Sequence, residues 1–86
     1  MHEMSVALEV CRIAEEQVGR DALPSVRAVG LEVGDDAGLE VGNLAFCLEA
    51  VLATPPFTGA TPLIERRPGD VLRVSYLEID DGRPND

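Results

Sequence analysis

The residues best equipped for chemistry open the chain: Met1, His2 and Glu3. A free amino group, the main-chain nitrogens after it and an imidazole one residue away make a chelating run for a square-planar ion such as Ni(II) or Cu(II). The amide nitrogens must lose protons to bind, so affinity rises with pH. Each deprotonated amide also cancels metal charge, which matters beside a helix N-terminus carrying about +0.5 of an elementary charge. Glu3 supplies a carboxylate next to the imidazole. The plain alternative is a solvent-exposed histidine with no ligand.

Elsewhere the chain argues against catalysis. His2 is its one histidine and it has no lysine, so no Ser/His/Asp or Cys/His constellation can form away from the N-terminus. Its glycines fit neither GxGxxG nor a P-loop. Cys11 and Cys47 are too few for a disulfide framework or an all-thiolate zinc site, and both fall on apolar helical faces, as buried free thiols do. Asp35, Asp36, Glu78, Asp80 and Asp81 have no calcium-loop spacing and read as solvated carboxylates. With 16 acidic against 7 basic side chains the net charge is −9, which disfavours nucleic acid and anionic membranes as partners. No run approaches the ~18 apolar residues of a membrane span. The start lacks an export-signal layout, so the expected compartment is the cytoplasm.

A chain of 86 residues, 45% apolar, makes one small domain with a thin core. Residues 3–18 predict an amphipathic helix with Ser5, Glu9, Arg12 and Glu16 on its polar stripe. The remaining apolar face is wide, calling for broad cover, most simply by a sheet. Gly19 and Pro24 end it. Residues 26–33 alternate as a half-buried strand, Val29, Leu31 and Val33 to one side, Ala28, Gly30 and Glu32 to the other. A loop at 34–38 leads to a second helix at 41–53, stopped by Pro55-Pro56. Two strands follow, 61–67 and 71–80, joined by Pro68-Gly69-Asp70, a reverse-turn signal. In the last strand Leu72 and Val74 share one phase while Leu77 and Ile79 share the other, which predicts a bulge near Ser75-Tyr76. The tail 82–86 is polar and expected to fray. The fold class is α+β: two helices on a three-stranded sheet in the order α-β-α-β-β. An exposed sheet edge beside a broad apolar helix suits a monomer or weak homodimer.

These segments, MHEMSVA (1–7), LEVG (31–34), LAFCLEAV (44–51), GATPLIE (59–65) and GDVLRVSYLEID (69–80), together resemble the HypA/HybF family of nickel metallochaperones for [NiFe]-hydrogenase maturation. The resemblance runs in order along nearly the whole chain. It implies a non-enzymatic accessory protein that holds Ni(II) transiently at Met1, His2 and Glu3. The cargo would pass to a nickel-handling GTPase or the hydrogenase large-subunit precursor. Family members carry a zinc domain with two CxxC pairs between the last two strands. Here RRPGD (66–70) joins those strands directly, so 1–86 reads as a single nickel-binding domain without zinc, its remaining strands closed as a hairpin by the short turn. Loss of that insert also admits a second reading, a metal-free interaction module of the maturation machinery.

Overall fold

Every apolar residue that the first helix buries lies on one side of it. The computed structural model describes residues 2–80, and α1 spans Glu3–Val18, burying Val6, Ala7, Val10 and Ala14. Its polar stripe stays wet, with Arg12 bridging Glu9 and Glu16 as the helical spacing dictates. The apolar face is covered less broadly than its width suggests. Met4 and Leu8 remain 42% and 56% exposed, because α1 packs chiefly against the second helix rather than across the sheet. Gly19, at φ +85°, ends α1, and its N–H donates to the Glu15 carbonyl at 2.8 Å.

The chain then makes a 3₁₀ helix, Arg20–Ser25, which the sequence pattern left unassigned. It turns the backbone through Pro24 and buries Leu23 before β1 (Val26–Gly34) begins. β1 is the middle strand, parallel to β2 (Thr61–Arg67) on one side and antiparallel to β3 (Leu72–Ile79) on the other. The half-buried expectation is corrected here. Val29, Leu31 and Val33 face the helices, yet Ala28 and Gly30 on the opposite face are buried too. A central strand is shielded by its neighbours' side chains even on the face that no helix covers. Over Gly30 lies the ring of Tyr76.

Between β1 and β2 runs α2 (Val41–Leu52), one residue shorter than expected because Ala53 is its C-cap. Leu44, Cys47, Leu48 and Leu52 meet α1 and the inner face of β1 in one core. The bulge also forms: β1 pairs Gly30 with Tyr76 and the next residue, Leu31, with Val74, so Ser75 is the extra residue. The tail 82–86 lies outside the described residues.

The final connection differs from the expected hairpin. β2 and β3 do not pair; β1 separates them. Pro68–Val71 turns as its composition predicts, but it crosses over the end of β1 to reach the far edge. Three hydrogen bonds fix the crossing: Gly34 N–H donates to the Val71 carbonyl (2.6 Å), Asp35 N–H to that of Arg67 (2.8 Å) and Asp36 N–H to that of Gly69 (2.8 Å). A Cβ at Gly34 would stand 2.2 Å from the Gly69 oxygen and 2.7 Å from the Val71 nitrogen. Those are backbone atoms and cannot swing away. At Gly30 the nearest atoms to an added Cβ belong to the Tyr76 ring, at 2.1 Å, and a half-exposed side chain can rotate. Gly34→Ala is therefore expected to lose about 1–3 kcal/mol in urea unfolding, and Gly30→Ala distinctly less. Equal losses would contradict the crossing.

Candidate metal centre

The N-terminal ends of α1 and α2 converge, and the residues singled out from the sequence lie at that junction. His2 is the N-cap of α1, extended at φ −83° and ψ 143°, with its side chain exposed and making no capping hydrogen bond. The first helical bond runs from Val6 N–H to the His2 carbonyl, at 3.2 Å. A helix leaves its first N–H groups without internal acceptors, so the amides of His2 and Glu3 are spared from the helical ladder. Met1 lies outside the described residues.

Glu3 is held in place. Its carboxylate accepts from the Glu40 N–H at 3.0 Å and from the Asn43 side-chain amide at 2.9 Å. Glu40 in turn caps α2, its carboxylate accepting from the Asn43 N–H. Two carboxylates thus sit at the positive ends of two helices, where the macrodipoles favour negative charge. The Glu40 N–H, then the Asn43 amide, holds the Glu3 carboxyl below its ordinary value. The carboxylate also accepts from its own main-chain N–H.

The remaining candidates stand apart. Cys47 is buried and Cys11 partly so; both are free thiols, and burial pushes the Cys11 thiol up. Among the described residues no three His, Cys, Asp or Glu side chains gather into a metal cluster. Glu40 and Asn43 escaped the sequence reading: glutamate is not a favoured N-cap, and their partner Glu3 lies 37 and 40 positions away.

Comparison with known proteins decides the lineage. A family model described as "Hydrogenase/urease nickel incorporation, metallochaperone, hypA" matches residues 1–72. The chain belongs to the HypA family. The family description is that of a metallochaperone, and the relatives are named hydrogenase maturation factors. The hydrogenase maturation factors HypA of Azotobacter chroococcum and Azotobacter vinelandii are each 42% identical over 69 residues, 80% of this chain and 61% of theirs. That of Alkalilimnicola ehrlichii is 39% identical over 72 residues, 84% of this chain and 64% of its own. The chain thus spans about three-fifths of the length of these HypA relatives. No solved structure matches. No helix among the described residues is long and apolar enough to cross a membrane.

The Glu3 clamp has a definite pH sign. A carboxyl that ionises more readily folded than unfolded stabilises the fold above its ordinary pKa, and this is lost as pH falls through the lowered folded value. In an NMR titration the Glu3 side-chain carbon should have its midpoint below the ordinary glutamate value, and Asn43→Ala should raise it part of the way back. An unmoved midpoint would mean that Asn43 does not hold Glu3 in solution.

Proposed function

We propose that this chain carries Ni(II) at its N-terminus for the maturation of a [NiFe] hydrogenase. The Met1 amine, the main-chain nitrogens after it and the His2 imidazole would bind the cargo, with the Glu3 carboxylate beside it. The observation that carries this reading is the exposed, uncommitted His2 at the N-cap of α1, beside a Glu3 fixed to α2. The donors are close in sequence, so they need no prior folding. The fold's contribution is to hold their carboxylate neighbour still and to lower the cost of placing a cation at a helix N-terminus. Family membership supports nickel as the metal.

Delivery is ligand exchange, with no covalent step. A square-planar site at the exposed His2 would be open to an incoming ligand. The receiving partner would be a nickel-handling GTPase or the large-subunit precursor, met in the cytoplasm. These 86 residues hold no CxxC pair, and Cys11 and Cys47 lie on different helices, so no zinc is expected on them. Exposed Met4 and Leu8 on α1 and Phe46 on α2, the last 69% exposed, favour the second reading, a metal-free docking module.

Nickel titration of the untagged chain separates the two. His2→Ala and N-terminal acetylation should each weaken binding by about tenfold or more, since one strong donor is worth at least ~1.4 kcal/mol. Affinity for the unmodified chain should rise as the pH is raised, because the nitrogen donors must shed protons to bind. Equal affinity in all three forms would remove the nickel role. Capture of a maturation partner that survives both chelator and His2→Ala would then establish the docking role.

A further inference from the structure

We propose that the free edge of β3 pairs with the β3 of a second copy of this chain, antiparallel, about a two-fold axis between Ser75 and Tyr76. Both outer strands of the sheet have an open edge, but they are built differently. β2 contains Pro62, which has no N–H to offer, and ends in the charged run Glu65-Arg66-Arg67. β3 has no proline, and its inner face is incompletely covered. Leu72, Val74 and Leu77 are only half-buried and Ile79 is 41% exposed. Between Leu72 and Val74 on one side and Val6, Val10 and Ile13 of α1 on the other lies an apolar cleft of about 380 Å³. A second, more polar hollow that also touches Ile13 and Val74 runs on past Gln17 and Leu77 to Ile79, so a groove follows the length of the free edge.

The occupant is indicated by the strand's own pattern. The bulge at Ser75 puts Leu72 and Val74, then Leu77 and Ile79, on the inner face, with Arg73, Tyr76 and Glu78 on the outer. Against β1 this broken alternation is absorbed by the bulge. It matches itself in one antiparallel register, in which the bulge of each copy faces that of the other. Leu72 then lies opposite Ile79 of the second copy, Val74 opposite its Leu77, and Arg73 opposite its Glu78. Every inner residue meets an inner residue, and a shift by one or two positions would break the match. The charges agree. Glu78 is exposed and, among the described residues, takes part in no ion pair, while Arg73, already bonded to Glu32, is 63% exposed and can accept a second carboxylate. A two-fold axis makes each such pair twice. The net charge of −9 on each copy opposes the association, so a dimer that comes apart on dilution is expected.

Sedimentation equilibrium of the intact chain, of Glu78→Arg and of Ile79→Lys tests this. The wild type should show a concentration-dependent monomer–dimer equilibrium. Glu78→Arg sets arginine against arginine at two places, and Ile79→Lys puts charge into the apolar seam. Each should raise the dimer dissociation constant about tenfold or more while leaving the circular dichroism spectrum unchanged. Phe46→Ser, on the outer side of α2, should leave the equilibrium alone. A wild type that stays monomeric up to millimolar concentration overturns the proposal. So does a dimer that Phe46→Ser dissociates and Glu78→Arg does not. Should Ile79→Lys fail to fold, the exposed Glu78→Arg still decides.

Discussion

Gly34 has no side chain, and the backbone crossing from β2 to β3 fills the space where one would stand. The sheet rests on this close approach. A parallel neighbour on one side of β1 and an antiparallel one on the other require the chain to pass over the end of β1, and the shortest path lies directly on it. Three main-chain hydrogen bonds satisfy donors that would otherwise end the strand unpaired. With both edges placed, Val29, Leu31 and Val33 have neighbours on either side and the two helices above. So small a chain has no spare core, which makes the position of one strand decisive for the rest.

The α1–α2 junction follows from the same arrangement. β1, α2 and β2 form a crossover unit, and the loop after Gly34 returns the chain so that α2 starts beside the start of α1. Two helix N-termini brought together would repel a cation. Glu3 and Glu40 answer that field with carboxylates held by hydrogen bonds at each end. What the fold builds at the chain start is an electrostatic setting, while the proposed donors are local in sequence.

The local content of the fold was legible in the sequence. Helical spacing fixed α1, the phase change between Val74 and Leu77 located the bulge, and Pro68-Gly69-Asp70 marked a real turn. Which strands that turn joins side by side was not legible, because a turn signal reports the direction of the backbone and says nothing of a third strand lying between. The exposure of Met4 and Leu8 was equally hidden, since amphipathicity measures what a helix can bury and not what is available to cover it. Met1, His2 and Glu3 were singled out from residue type alone as the proposed site. The Glu40 and Asn43 partners were not, for no local pattern links residues so far apart.

Tyr76 is the chain's one tyrosine, and there is no tryptophan. Its ring rests on Gly30, on the sheet face that no helix covers and next to the β3 bulge. The longest-wavelength ultraviolet absorption and intrinsic emission of these 86 residues therefore come from a single point on that face. Optical signals are weak for a chain of this size, but each change in them has one address.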